Sequence, residues 1–423
     1  MTATMAAVRD GVVAWVARRA VAKWLLAKYG ARALAMLPEG VMLPLRRDGL
    51  DPVAEMEQMR ADGPIHRVQT PFRFGVWLVT GEQETRAVLA DGNAFSNDYA
   101  RIGQTGFVKI ERSPGGLGFA DPPHHTRLRK LLTPEFTMRR LARLAPRVDE
   151  IIADRLDAMD AAPGPVDLVE QFSLPIPSLA ICELLGVPYE DRELFQRLAA
   201  ARFDVFGGAN AALGAVSESL DYLREVVERQ RVEPGDGLIG MIIRNHGDQV
   251  DDEELAGLAD GVLTGGFDTT ASMLALGAAV LLQNPEAARA VREDDAAVGP
   301  VVEELLRYLS VVQVAFPRFA KQDMEIGGAR IKEGDAVVCS LVAANRHAGT
   351  DFDHTRVPAP GGHYAFGHGA HRCVGAELGR LELRAAYPAL LRRFPNLRLA
   401  DELPGYRTVS VVHGVERMMV HVR

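Results

Sequence analysis

The sequence predicts a mainly α-helical body with a smaller β region toward its C-terminal end. Three observations carry that prediction. Ala, Leu, Arg and Glu recur in long stretches with few β-branched runs before residue 309, and these residues favour helix. Between 124 and 295 the helical pattern is punctuated only by turn formers such as Pro163-Gly164-Pro165, Pro234-Gly235, Asn245-His246-Gly247 and Asn284-Pro285. After Leu309, short runs such as Met324-Glu325-Ile326, Ala329-Arg330-Ile331 and Ala336-Val337-Val338-Cys339 take on strand character.

Taken in order, residues 1–35 form a basic extension. Arg9, Arg18, Arg19, Lys23, Lys28 and Arg32 face a single acid, Asp10, and are interleaved with Val13, Trp15, Val16, Val21, Trp24, Leu25, Leu26 and Tyr29. Two readings stay open: an amphipathic helix in peripheral contact with an anionic membrane surface, or a helix packed on the domain. No conventional signal peptide is expected. Residues 36–423 read as one domain, since no repeat, coiled coil or long linker divides them. Ile65–Gln69 and Gly75–Thr80 are expected strands, with a helix beginning near Gly81. The 101–118 loop is rich in glycine, as entrance loops often are. Val262–Leu282 is long and apolar enough to span a bilayer, but Gly265, Gly266, Asp268, Thr269 and Thr270 interrupt it. That polar cluster suits a helix buried in a soluble core. Residues 376–394 return to helix, and Val409–Val422 closes the chain with β character.

The 423 residues are 48% hydrophobic and 25% charged, a globular balance large enough for a sizeable core. The net charge of −8 argues against general nucleic-acid binding. Three cysteines cannot build a disulfide framework, so a reducing, cytoplasmic setting is expected. One of them, Cys373, sits in the glycine-rich loop Phe366-Gly367-His368-Gly369-Ala370-His371-Arg372-Cys373-Val374-Gly375. Thiolate is a soft ligand for iron, glycines admit a planar ligand closely, and basic neighbours favour thiolate. On chemistry alone the loop is equally compatible with a metal ligand, a nucleophile or an inert buried thiol.

The pattern Phe-Gly-x-Gly-x-His-x-Cys-x-Gly resembles the haem-binding signature of cytochromes P450 in their soluble bacterial form. The resemblance runs from about residue 38 to the C-terminus. It implies a triangular helical body around a buried haem b, with Cys373 as the iron ligand. Gly265-Gly266-Phe267-Asp268-Thr269-Thr270 resembles the family's oxygen-activation segment, implying Asp268 and Thr269 as the catalytic pair that manages proton delivery. Glu304-Leu305-Leu306-Arg307 resembles its Glu-x-x-Arg support, whose two residues share a helix face; Arg356 is the expected third member. His125 and Arg129, Arg318, and His371 match positions that clamp the haem carboxylates, a role suited to imidazole and guanidinium donors.

The implied activity is monooxygenation of a hydrophobic small molecule, by hydroxylation or epoxidation with dioxygen. A macrolide or polyketide intermediate is one substrate class, and a fatty acid, terpenoid or steroid another. A non-catalytic haem–thiolate sensor is the alternative from a different class. Electrons are expected from a separate ferredoxin and its reductase, received by a basic face bearing Arg127, Lys130, Arg139, Arg140 and Arg143. Phe107, Phe203, Phe206, Leu263, Phe267, Val312, Val314, Val411 and Val412 are the expected pocket walls.

Overall fold

The computed structural model describes residues 39–70, 74–98, 117–194, 209–358, 361–400, 405–407 and 409–423. The 1–35 extension and three of the expected pocket residues, Phe107, Phe203 and Phe206, lie outside them. The principal helices are α1 (Ala54–Asp62), α2 (Glu82–Ala90), α3 (His124–Leu132), α4 (Met138–Asp160), α5 (Pro175–Leu185), α6 (Ala209–Val232), α7 (Leu238–His246), α8 (Asp252–Gln283), α9 (Pro285–Glu293), α10 (Asp295–Leu309), α11 (Leu341–Arg346) and α12 (Ala376–Arg393). One five-stranded sheet is built from β1 (Ile65–Val68), β2 (Val76–Val79), β3 (Phe95–Ser96), β4 (Arg318–Ala320) and β5 (Ala336–Cys339), in the order β1-β2-β5-β4-β3. The chain is therefore mainly α with a smaller β region.

The axis of the molecule is α8. Its 32 residues span roughly 48 Å at the usual rise. The Asp251 side chain accepts the Glu254 N–H at 2.8 Å and so caps its start. Asn284-Pro285 ends it, because the residue before proline is pushed out of the helical region. Although α8 is long and apolar enough to cross a membrane, 78% of its most apolar window is buried within the protein. The largest core joins α8 to α4, α10 and α12 through Met273, Leu276, Val280, Leu305, Leu383 and Leu390. Where α12 crosses α8, Gly277 leaves space for Tyr387, and any Cβ there would collide with the Tyr387 hydroxyl. That hydroxyl donates to the Met273 carbonyl at 2.5 Å.

The sheet holds one flank of this body. β5 runs parallel to β2 with Ala336 opposite Val76 and Cys339 opposite Val79, and antiparallel to β4 with Val337 opposite Arg318. The C-terminal β character resolves into short pairs: Gly405–Tyr406 with Val415–Arg417, and Met419–His421 with both Arg398–Leu399 and Val166–Asp167. The Val166–Asp167 strand was not expected inside the helical region. It follows Pro163-Gly164-Pro165, a turn that releases just enough extended chain to reach the C-terminal edge.

Candidate functional site

The Cys373 loop is folded by its own backbone. Cys373 N–H donates to the Phe366 carbonyl at 2.8 Å, Gly367 N–H to the Tyr364 carbonyl at 2.8 Å, and Arg372 N–H to the Gly369 carbonyl at 3.0 Å. Gly367 and Gly369 take φ of +69° and +72°, conformations that side-chain-bearing residues rarely adopt. Gly369 also lies against the end of α2, where a Cβ would strike the Leu89 carbonyl oxygen. The loop delivers Cys373 just before α12, which starts from Gly375.

Cys373 is exposed to solvent while protein surrounds it, as expected of a side chain that lines an internal space. Burial pushes its thiol upward, and the Gly375 N–H and the Arg129, Arg372 and Arg380 guanidiniums pull in the opposite direction. Cys182 and Cys339 are buried, with thiols driven up by desolvation, to about 12 for Cys339. Cys373 is thus the one cysteine placed for chemistry. Among the described residues no group of three or more His, Cys, Asp or Glu side chains is arranged for a bare metal ion. A single thiolate suits a metal whose other ligands come from a macrocycle.

The four clamp residues converge beside the thiol. The rings of His125 and His371 lie 4.1 Å apart, though they come from α3 and from the loop. His125 is 3% exposed, and its Nε2 has no hydrogen-bond partner; the buried Nδ1 of His371 also has none. Burial, and then His125 and Arg318, push the His371 imidazole down to about 3; burial and Arg129 push His125 down as well. Arg318 is buried on β4 and donates to the Phe316 carbonyl at 3.1 Å. Two orphaned imidazole nitrogens beside two guanidiniums make a positive pocket that carboxylates would satisfy. The residues present therefore fit a haem with its carboxylates on this cluster and its iron on Cys373.

One face of α8 is open. Thr264 and Gly265 are exposed within an otherwise buried stretch, and a Cβ on Gly265 would meet nothing within 4 Å. Thr269 is partly exposed, and its hydroxyl donates to the Gly265 carbonyl at 2.8 Å. Its oxygen lone pairs remain as acceptors. Gly266, by contrast, is a packing glycine, since a Cβ there would press on Ile181 of α5 at 2.8 Å. Leu263 and Phe267 correct the sequence expectation. At 0% and 2% exposure they sit in a core cluster with Ile181 and Leu128, on the side of α8 turned from the open space. Residues 264, 265, 268 and 269 share one face at 3.6 residues per turn; 263 and 267 belong to the next.

Asp268 is 3% exposed, and both of its oxygens are taken by Arg407, at 2.9 Å each. The sequence reading did not include Arg407, whose only signal was a lone charge in a β segment. It also missed Glu382, on α12. Glu382 is 1% exposed, faces Thr270, and has an unpartnered Oε1. Burial pushes its carboxyl up to about 8. A glutamate on the apolar stripe of α12, beside Leu378 and Leu383, was the available clue.

The segment expected to wall a pocket is a short ribbon. Val312 pairs with Val412 and Val314 with Ser340, while Gln313 N–H donates to the Val411 carbonyl at 3.0 Å. Val311 and Gln313 are buried, whereas Val312, Val314 and Phe316 are partly or fully exposed on the alternate face. Gln313 fixes the ribbon, receiving Arg47 at 2.7 Å and donating to the carbonyls of Leu45 and Ser410.

Behind the cysteine loop, Glu304 and Arg307 form a buried bidentate pair at 2.7 and 2.8 Å. Arg356 joins it through Glu304 at 3.1 Å rather than through Arg307. Arg307 spends its remaining donors on the carbonyls of Asn345, Gly349 and Asp351. The Asn345 side chain accepts the Tyr364 N–H, and so ties this network to the start of the loop.

An accessible thiol beside unpartnered imidazoles and guanidiniums, with an open face on α8, accords with a haem–thiolate enzyme. Residues 236–410 match the family model for Cytochrome P450. Cytochrome P450 165B3 of Amycolatopsis orientalis is 39% identical over 395 residues, covering 89% of this chain and 98% of that protein. This chain belongs to the cytochrome P450 family. The P450 monooxygenase PikC of Streptomyces venezuelae is 41% identical over 365 residues, with 84% of this chain and 86% of that one covered. Among solved structures, P450 StaH from glycopeptide antibiotic A47934 biosynthesis superposes with a TM-score of 0.80 at 40% identity, covering 89% of this P450 and 99% of StaH. OxyC, a P450 implicated in an oxidative C–C coupling reaction during vancomycin biosynthesis, gives 0.81 at 38% identity, with 90% and 97% covered. The P450 described here is a haem–thiolate monooxygenase of a bacterial type, and the family implies dioxygen and an external source of electrons.

Proposed function

We propose that this P450 binds haem b through Cys373 and inserts an oxygen atom into a hydrophobic secondary-metabolite intermediate. The observation that carries the reading is the convergence of His125, His371, Arg129 and Arg318 around unpartnered imidazole nitrogens next to Cys373. When bound there, the haem supplies the binding and reductive activation of dioxygen. The overall reaction consumes one dioxygen, two electrons and two protons, leaving one oxygen in the product and one in water. This chain's residues do the rest. His125, Arg129, Arg318 and His371 neutralise the haem carboxylates. Thr269 presents hydroxyl lone pairs toward the open space, and Asp268 is the acid within reach of it along α8. Val312, Val314, Phe316, Val411 and Val412 exclude water and position an apolar substrate. Glu304, Arg307 and Arg356 support the loop.

The electron donor fits an acidic ferredoxin served by a flavin reductase. Arg127 and Arg140 are engaged by Glu254 and Glu135. Lys130, Arg139 and Arg143 are exposed on α3 and α4, and α4 packs on α12, the helix that follows Cys373. These three residues are the face that an acidic carrier would meet. The three free cysteines accord with a cytoplasmic setting.

The substrate is an intermediate of secondary metabolism, with macrolides and glycopeptides ahead of fatty acids and terpenoids, because the similar StaH comes from glycopeptide antibiotic biosynthesis and OxyC is implicated in vancomycin biosynthesis. The test is the reduced, CO-bound optical spectrum of the wild type and of Cys373→Ala, followed by a spin-state screen across those four compound classes. A thiolate-type spectrum that disappears in Cys373→Ala is expected. Its persistence in the variant would remove Cys373 as the ligand.

A further inference from the structure

The acid of α8 is clamped. Arg407 holds both Asp268 oxygens in a two-pronged ion pair, and it reaches α8 from a hairpin far along the chain. That hairpin has a second role. Its turn carries Val411 and Val412, which continue the apolar wall of Val312 and Val314, and Val411 is 52% exposed. The two roles meet in one guanidinium. Arg407 Nη1, which donates to Asp268 Oδ2 at 2.9 Å, also donates to the Val412 carbonyl at 3.3 Å. The hairpin is seated closely on α8: a Cβ on Gly414 would lie 2.6 Å from Ser272 Oγ and 3.3 Å from Arg407 Cζ. Arg407 N–H donates to the Gly414 carbonyl at 2.9 Å, closing the turn.

We propose that Arg407 is a positioning residue that makes proton delivery through Asp268 conditional on contact of a substrate with the Val411–Val412 wall. The proposal rests on the monooxygenase reading above. Two charge-assisted hydrogen bonds fix the orientation of the carboxylate. To accept a proton from water and pass it toward Thr269, Asp268 must turn one oxygen away from the guanidinium. Oδ2 is the oxygen that can turn, because its donor is shared with a carbonyl of the wall itself. A substrate pressing on Val411 moves the Val412 carbonyl, draws Nη1 with it and frees Oδ2. Without that contact, both bonds hold and proton transfer is slow. The proton enters Oδ2 from solvent and leaves toward Thr269, so Asp268 is regenerated. The electrons come from the reduced carrier, two per dioxygen. Dioxygen released intact takes both electrons and two protons as hydrogen peroxide.

The experiment uses the holoprotein with a ferredoxin and its reductase, and dioxygen itself as the probe. Oxygen uptake and peroxide release are measured without substrate, in H2O and in D2O. Arg407→Gln should raise substrate-free uptake roughly fivefold and enlarge the solvent isotope effect, because proton transfer is no longer masked by the slower release of Asp268 Oδ2. Arg407→Lys, which keeps the charge, should return most of the slow behaviour. Val411→Trp fills the wall with the protein's own side chain, and should raise uptake when Arg407 is present but not in the Arg407→Gln background. Equal effects of Val411→Trp in both backgrounds, or wild-type uptake in Arg407→Gln, would overturn the proposal. If Arg407→Gln does not retain haem, Val411→Trp against Val411→Ala in the native background decides: faster uptake in the tryptophan variant alone supports the coupling, and equal uptake removes it. The reduced, CO-bound spectrum is recorded for every variant. Loss of the thiolate signature in the wild type itself would defeat the monooxygenase reading, whereas an intact signature with indifferent uptake defeats only the role of Arg407.

Discussion

The cysteine side and the α8 side of the site are positioned by opposite means. Cys373 is held by hydrogen bonds within its own short loop and by two glycines in left-handed conformations. Asp268 and Thr270 are held by Arg407 and Glu382, each more than a hundred residues downstream. A local turn costs little loop-closure entropy and can fix a ligand tightly, whereas long-range partners belong to elements that can shift relative to one another. The comparison teaches that Cys373 is positioned by its own loop, whereas Asp268 and Thr270 depend on partners from distant elements, which is why the proposed proton gate lies in the C-terminal hairpin.

Breaking the support of the rigid side should have the largest effect. Glu304→Ala leaves the buried guanidinium of Arg307 without its carboxylate, and removes the partner of Arg356 and of the Asp353 N–H. A loss of about 3–5 kcal/mol is expected, read as an earlier denaturant midpoint and poor recovery of folded holoprotein. A variant as stable as wild type would show that the network is dispensable. Next, Gly369→Ala forces a Cβ into a position with φ of +72° and against the Leu89 carbonyl. A cost of about 2 kcal/mol is expected, localised to the loop and measured as faster haem transfer to apomyoglobin. Unchanged haem retention would mean that α2 yields easily.

The α8 side should respond in function rather than in retention. Thr269→Ala removes the hydroxyl that bonds the Gly265 carbonyl and presents acceptor lone pairs to the open space. Haem binding should persist, while product formed per reducing equivalent falls roughly tenfold, or about 1.4 kcal/mol, with the difference appearing as peroxide. Equal coupling in the variant would take Thr269 out of the proton path.

The same contrast explains what could be read from the sequence. The cysteine loop lies in ten consecutive residues, so the family resemblance could be seen in it, and that resemblance supplied the role that chemistry alone left open. His125 and Arg129 were singled out by the resemblance, since two positions sharing a helix face are otherwise an ordinary solvated pair, and only the fold shows that His125 meets His371. The helical body followed from composition and from turn residues. Leu263 and Phe267 were misplaced because apolarity marks core and pocket alike, and the rotation of α8 that separates the two faces depends on what packs around it. Arg407 and Glu382 act across elements whose pairing no periodicity encodes.

Over the single pH unit from 7 to 8 Glu382 gives the smallest of these effects, and it separates burial from chemistry on the α8 side. The residue is 1% exposed, and burial raises its carboxyl from the ordinary 4.5 to about 8, with the Thr270 contact opposing weakly. Between those values the folded protein holds a proton that the unfolded chain has released. Stability contributed by this group is therefore greatest at low pH and declines as pH rises toward 8. The decline amounts to about 1 kcal/mol between pH 7 and 8. Glu382→Gln keeps the shape and cannot titrate, so the wild-type curve should fall away from the variant's as pH rises through this interval. Other groups titrate in both proteins, and the difference between the two unfolding curves isolates Glu382. Parallel curves from pH 6 to 9 would mean that Glu382 is hydrated or paired in solution, and that the wall between α8 and α12 is wetter than its packing indicates.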